Sequence, residues 1–255
     1  LPKNLWVSRV VFSKHKENRI YVTLNGYRFD DFKPYVFVTE DNGENWKSLH
    51  SKLPISSVNV IKEDPYYEDL LYLGTDNGLY MSFDKGSSWN SFNQGLQKVA
   101  THDLVIQKRA KDLLIGTHGR SIYKMDLSII YSFLEKRNLK QNHYIIPNDI
   151  NFSSRWGKRI YNWSEFNLPS HYFNLYSIKD QSLTMKLLDS DKSLIYKMKL
   201  ILEEGFQKVD LPMVYPNKKM AKKNKVEKST NGEFYLKKGQ YEIVIGDVSE
   251  NFDIK

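Results

Sequence analysis

The residues with the means to do chemistry sit in four short, polar loop segments. One holds Asn25, Tyr27, Arg28, Asp30 and Asp31, a second Asp76 and Asn77, a third His102 and Asp103, and a fourth His118 and Arg120. Carboxyl groups could work in pairs. Glycoside hydrolysis needs two of them roughly 5–9.5 Å apart, one protonated as acid and one ionised as base or nucleophile. Asp30 and Asp103 are the candidate catalytic acids on this reading, with Asp31 and Asp76 as further carboxyls. The same residue types serve simple recognition, because arginine, histidine, carboxylate and tyrosine bind glycans or peptides without cleaving them. Tyr27 is the leading candidate for ligand contact, since a hairpin has no structural need for it there.

Other chemistries lack their residues. The chain has no cysteine, which removes disulfides, thiolate metal sites and cysteine nucleophiles. Its six histidines show no H-x-x-x-H spacing, so no metal site is expected. No Gly-rich loop opens a helix to hold phosphate, and no cofactor is expected.

These loops need a scaffold, and the scaffold shows as a repeat. Thr39-Glu-Asp41-Asn-Gly43-Glu-Asn-Trp46 matches Ser82-Phe-Asp84-Lys-Gly86-Ser-Ser-Trp89, with 43 residues between the aspartates. Leu71–Thr75 returns 42 residues later as Leu113–Thr117, and Ile20–Thr23 is the first copy. Val7–Phe12, Ser57–Ile61 and Asp103–Ile106 are short β-branched runs that complete each unit. Each unit therefore reads as three strands, a box turn and a fourth strand. A four-stranded unit of ~40–45 residues is a β-propeller blade. In the box, Asp and Ser/Thr bond local amides, Gly takes positive φ, and Trp supplies apolar area between sheets. On this chemistry Asp41 and Asp84 are turn residues. Box turns lie at one end of a blade. The four loops then share the opposite end, which makes them one functional rim.

The two boxes resemble the Asp-box (BNR) repeats of sialidases, xyloglucanase-type glycoside hydrolases and sortilin-type receptor propellers. Gly116-Thr-His118-Gly-Arg120-Ser-Ile-Tyr123 is similar to the end of the propeller in bacterial proteins of the sortilin/BNR (VPS10-like) group. That group is often labelled glycosyl hydrolase. The resemblance, over about residues 5–127, implies a secreted, periplasmic or outer-surface protein that binds protein, peptide or carbohydrate, with glycoside hydrolysis as the alternative. A propeller closes with ~4–8 blades, and fewer than three are expected here. The missing blades are thus the first partner, supplied by an N-terminal part of the same protein or by another chain. The opening Leu1-Pro-Lys-Asn-Leu-Trp6 reads as folded sequence and not as a signal peptide.

After Asp126 the repeat stops. Leu127–Lys136 has the spacing of a short helix, and 129–170 reads as a connector with an aromatic irregular stretch from Phe152 to Leu168. Strand-like runs follow at Tyr172–Ile178, Leu183–Asp189, Leu194–Leu200, Phe206–Leu211, Gly232–Leu236 and Gln240–Ile245. They predict a sandwich over 171–255. Leu187-Leu-Asp189, Val209-Asp-Leu211 and Leu236-Lys-Lys-Gly-Gln-Tyr241 are similar to the immunoglobulin-like domain of the flagellar hook-cap type, with Val209 where that family has Trp. The expected fold is all-β: the last two to three blades of a β-propeller (1–128), then an antiparallel β-sandwich.

The formal charge of +8 does not indicate nucleic acid. Residues 1–128 carry 17 basic and 15 acidic side chains, and the excess concentrates in six lysines from Lys218 to Lys228, opposed by Glu227. That run lacks interleaved aromatics for base stacking. It reads as a solvated, mobile loop, or else as a contact for an acidic polymer or anionic membrane. No apolar run approaches the ~18 residues of a membrane-spanning helix.

Overall fold

The computed structural model of the chain describes residues 1–51, 53–92, 96, 98–137 and 141–255. These residues form two compact units, Leu1–Ser128 and Ile129–Lys255.

The first unit holds three antiparallel sheets, each laid down in chain order. Strands β1 (Trp6–Phe12), β2 (Ile20–Gly26), β3 (Asp31–Thr39) and β4 (Lys47–Ser48) make the first. Strands β5 (Val58–Glu63), β6 (Leu71–Thr75), β7 (Gly78–Ser82) and β8 (Asn90–Phe92) make the second. The third has β9 (Thr101–Gln107), β10 (Asp112–Thr117) and β11 (Ile122–Asp126). Short β-branched runs between Gly, Asn and Asp turns favour this up-and-down pattern.

The sheets stack face to face. Tyr21, Val36, Val38 and Leu49 of the first interdigitate with Val58, Ile61, Leu71, Leu73 and Trp89 of the second in one buried cluster. The first strands lie side by side: Ser8 Oγ donates to the Val58 carbonyl at 2.9 Å, and Arg9 pairs with Asp103 at 2.8 Å. Sheets stacked in this way, with their first strands adjacent, are successive propeller blades. Gly74 of β6 allows the closest approach, since a Cβ there would lie 2.6 Å from Val60 Cγ1 and 2.8 Å from the Thr101 carbonyl oxygen.

Polar groups pin the first two blades at the far end. The Arg19 side chain, 4% exposed, pairs with Glu40 at 2.7 Å and Glu68 at 2.8 Å. Buried Glu63 accepts from Ser13 Oγ, the Lys14 amide and the Tyr21 hydroxyl, so its charge is matched by donors.

In the second unit, helix α1 (Ser128–Lys136) turns Ile130, Phe133 and Leu134 inward. Phe133 meets Tyr176 with centroids 4.3 Å apart and Phe206 at 5.4 Å. Next come β12 (His143–Ile146), β13 (Tyr172–Ser177), β14 (Gln181–Asp189), β15 (Leu194–Leu202), β16 (Gly205–Asp210), helix α2 (Lys218–Lys223), β17 (Gly239–Ile245) and β18 (Val248–Ile254). A three-stranded sheet, β12-β13-β16, and a four-stranded sheet, β15-β14-β17-β18, enclose one core. Ile145, Phe173 and Leu175 come from the first sheet, and Met185, Leu187, Ile243 and Ile245 from the second. The chain is all-β, with propeller blades followed by an antiparallel sandwich.

Three local readings change, and one strand was not expected. The connector expected over 129–170 contributes β12, Ile150 and Trp156 to the sandwich unit's own core; its residues 138–140 lie outside the described set. Gly232–Leu236 makes only one bridge, Val214 to Tyr235, and is not a strand. β18 closes the four-stranded sheet although its sequence, Val-Ser-Glu-Asn-Phe-Asp-Ile, is mostly polar. The lysine run is not a simple loop. Its first part is α2, capped by Asn217, whose side chain accepts from the Met220 amide at 2.9 Å, and anchored by fully buried Ala221.

Candidate functional site

The two box turns have the same internal bonding. Thr39 Oγ1 donates to Asp41 Oδ1 at 2.6 Å and accepts from the Gly43 amide at 2.9 Å. Ser82 Oγ repeats both contacts, with Asp84 at 2.8 Å and the Gly86 amide at 2.8 Å. Asp41 accepts from the Asn45 amide and side chain, and Asp84 from those of Ser88. Gly43 and Gly86 sit at φ 100° and 84°, where a side chain would strain the backbone. The Asn45 amide and the Thr39 hydroxyl lower the Asp41 carboxyl to about 2. At Asp84, burial pushes upward, but the bonds from Ser88 outweigh it and leave the carboxyl lowered. Both aspartates spend their oxygens on their own turn.

The opposite end of each blade carries the remaining polar loops. The β1 N-terminus lies beside the β2–β3 connection, with Trp6 opposite Asn25 in register. The β6–β7 turn places Asp76 and Asn77 there, and the β9 N-terminus with the β10–β11 loop places His102, Asp103, His118 and Arg120 there.

A hydrogen-bond chain crosses all three blades at this end. Asn25 Nδ2 donates to Asn59 Oδ1 at 3.0 Å. Asn59 Nδ2 then donates to Asp76 Oδ1 at 2.8 Å and reaches the Thr101 carbonyl at 3.3 Å. Asn59 is buried, so satisfying both ends of its amide fixes its orientation. Beside it, Arg9 of β1 donates to Asp103 Oδ1, and the rings of His102 and His118 lie 5.6 Å apart between centroids. Arg120 is exposed.

On the first blade, Tyr27–Phe29 forms a 3-10 turn started by the Tyr27 amide donating to Asn25 Oδ1 at 2.8 Å. The turn presents an aromatic platform. The Arg28 guanidinium lies 4.8 Å over the Trp6 ring, and Tyr27 meets Phe32 edge-on at 6.2 Å. Trp6, Tyr27 and Phe29 are each more than half exposed. A shallow cleft of about 840 Å³ runs along Leu5, Trp6, Val7, Phe29 and Asp31. Asp31 accepts from the Tyr35 hydroxyl at 2.6 Å, and that bond with the Lys33 amide lowers its carboxyl. Asp30 takes the left-handed conformation, φ 55°, that ends the turn.

Thus Tyr27, Arg28, Asp30 and Asp31 form one patch, His102, Asp103 and His118 a second, and Asn25, Asn59 and Asp76 run between them. Three of the four candidate carboxyls, Asp31, Asp76 and Asp103, are engaged, each by a different partner. Asp103 is in an ion pair with Arg9, and Asp31 bonds a phenol. Sequence reasoning passed over Asn59, Arg9 and Trp6. Two of the three had a signal: Asn59 and Arg9 are polar residues among β-branched neighbours, in Val58-Asn-Val-Ile and Val7-Ser-Arg-Val.

The first unit is a β-propeller module with a polar, aromatic-flanked loop end. A family model described as Sortilin, neurotensin receptor 3 (Sortilin-Vps10) matches residues 34–142. No curated protein matches the chain. Among solved structures, the extracellular domain of a hybrid two-component system from B. thetaiotaomicron is 10% identical with a TM-score of 0.36, covering 98% of this chain and 31% of its own. An ancestral GH74 enzyme is 14% identical with a TM-score of 0.32, covering 77% of this chain and 27% of its own. The chain spans less than a third of the length of these structures. Among the described residues no helix is long and apolar enough to cross a membrane, which leaves β-barrels unaddressed.

Proposed function

We propose that this chain is a portion of a sortilin-like, Asp-box β-propeller protein of the cell envelope or exterior that binds a protein, peptide or glycan at its loop end. Further blades from the same protein or another chain complete the wheel, and an immunoglobulin-like sandwich presents it. The observation that carries this reading is the exposed platform of Trp6, Arg28, Tyr27 and Phe32, tied through Asn25 to the hydrogen-bond chain across three blades. Exposed aromatics beside a fixed cation are how a rim holds sugar rings or peptide side chains. Hydrolysis has less support, because it needs one carboxyl held protonated. Asp31 is shifted toward ionisation by the bond from the Tyr35 hydroxyl.

The test is a glycan and peptide array probed with the chain and with Tyr27→Ala and Arg28→Ala. Loss of the recognised ligand in both variants, with unchanged melting, supports the reading. Release of reducing sugar from the bound glycan, abolished by Asp30→Asn or Asp103→Asn, would replace binding with catalysis.

A further inference from the structure

We infer that the sandwich unit carries a second, separate site, which takes an anionic sugar such as a uronic acid or sulfated residue. It is independent of the propeller loops. The site is a cavity of about 330 Å³ between the Phe152–Lys158 segment and the stretch from Lys225 to Lys237. Two features that sequence reading kept apart meet here: the irregular aromatic segment and the end of the lysine run.

The cavity has an aromatic side and a cationic side. Partly exposed Phe152, with buried Trp156 and Tyr235 behind it, forms the first, while exposed Lys158, Lys225 and Lys228 line the same cavity. Glu227 is the single acidic lining residue, and Lys237 adds a fourth cation whose Nζ donates to the Asn224 carbonyl at 3.1 Å. Among the described residues, no carboxylate lies in ion-pair range of Lys158, Lys225 or Lys228. Their field therefore favours an incoming anion.

The walls are built and not adaptable. Ser229 Oγ donates to the Trp156 carbonyl at 2.7 Å, and Thr230 Oγ1 and the Asn231 amide both donate to the Gly157 carbonyl, at 2.8 and 3.0 Å. Asn231 Nδ2 donates to the Tyr235 hydroxyl at 2.7 Å. Gly157 sits at φ 71°, and a Cβ there would lie 2.4 Å from the Tyr235 ring and 2.7 Å from Ser229 Oγ. The glycine lets the two segments close on each other, so the pocket exists before any ligand arrives, which lowers the ordering cost of binding.

The shape selects among anions. Phe152 and Trp156 meet edge to face, 66° apart with centroids at 5.2 Å. They form a corner and not a parallel pair, so they offer no slot for a flat base. A pyranose has apolar C–H faces that suit such a corner, and the hydroxyls of Ser153 and Ser154 line the same cavity. The volume is near the lower end of the ~300–1,000 Å³ of small-molecule sites, so it takes one or two rings and not a long chain segment.

The experiment is calorimetric titration of the 255-residue chain with cellobiouronic acid, neutral cellobiose and a single-stranded thymidine oligonucleotide. The uronide binds, at least tenfold more tightly than cellobiose, and its affinity falls at least threefold between 0.05 and 0.5 M salt. Lys225→Gln with Lys228→Gln lowers the affinity at least tenfold while melting is unchanged, because both side chains are exposed. Phe152→Leu lowers it independently. No uronide binding, equal binding of cellobiose, full affinity in the lysine variant, or tighter binding of the oligonucleotide would each overturn the assignment.

Discussion

Trp89 donates its indole N–H to the carbonyl of Leu49 at 2.7 Å, reaching from the box turn of the second blade to the end of the first. Trp46 holds the same place in the first box, yet its indole donates to its own Gly43 at 3.0 Å and its ring is only half-buried. The difference is the neighbour. Trp89 has a preceding blade to pack against, and within this chain Trp46 has none. Val10 and Phe12 of β1 are also about half exposed or more, while Val11 between them packs into the first interface.

The two tryptophans should therefore respond differently to the same change. Trp89→Phe leaves the buried Leu49 carbonyl without its donor and is expected to cost about 1–3 kcal/mol. Trp46→Phe should cost less than about 1 kcal/mol in this chain. Denaturant unfolding of both variants checks this, and equal losses would contradict the packing difference.

Gly74 gives a steric prediction. Alanine there would meet Val60 and Thr101 at distances no Cβ tolerates, so the third blade would have to shift. Overpacking of this kind costs about 1–3 kcal/mol. Gly119 has nothing near its absent Cβ, but its φ of 77° makes it a poor control. Lys47→Ala on the exposed face of β4 is a better reference, and the expectation is a lowered melting temperature in Gly74→Ala alone.

Asn59 is the hinge of the polar chain across three blades. Asn59→Ala removes its bonds to Asn25, Asp76 and the Thr101 carbonyl together, with an expected loss of about 1–3 kcal/mol. Asn25→Ala should cost less when Asn59 is already alanine, because the bond between them is then already gone, while the Asn25 bond from the Tyr27 amide is lost in either background. A double-mutant cycle on unfolding free energies measures that coupling. Strictly additive effects would mean the bond contributes nothing.

The blades were legible because each strand repeats at a fixed interval and each box carries its own turn chemistry. The sandwich was legible where strands alternate, as in β14, whose Met185 and Leu187 are fully buried. It was not where burial and polarity separate. β18 buries Val248, Phe252 and Ile254 but carries Ser249, Glu250, Asn251 and Asp253 between them, so its apolar density is low. Four-residue β12 is too short to show a period, and α2 hides Met220 and Ala221 among lysines. At the loop end, the residues of each loop could be placed by chain direction alone. The bonds joining them run through Asn59 and Arg9, whose partners lie on other blades, and one sequence carries no record of those pairings.

Acid should attack the box turns. The folded Asp41 carboxyl lies at about 2, below its ordinary 3.8, because the Asn45 amide and Thr39 hydroxyl bond the ionised form. As pH falls, the unfolded chain takes up this proton first. The turn's contribution is therefore complete above about pH 4 and is lost progressively as pH drops toward 2. Asp84 shifts in the same direction, so both boxes add to one acid-sensitive window. In Asp41→Asn the side-chain oxygen can still accept from the Asn45 amide but has no proton to take up. Its melting temperature should start lower at pH 7 and fall less steeply between pH 4 and 2 than that of the unaltered chain. Melting curves across that range read the difference in slope, and parallel slopes would mean that Asp41 is not held below its ordinary value.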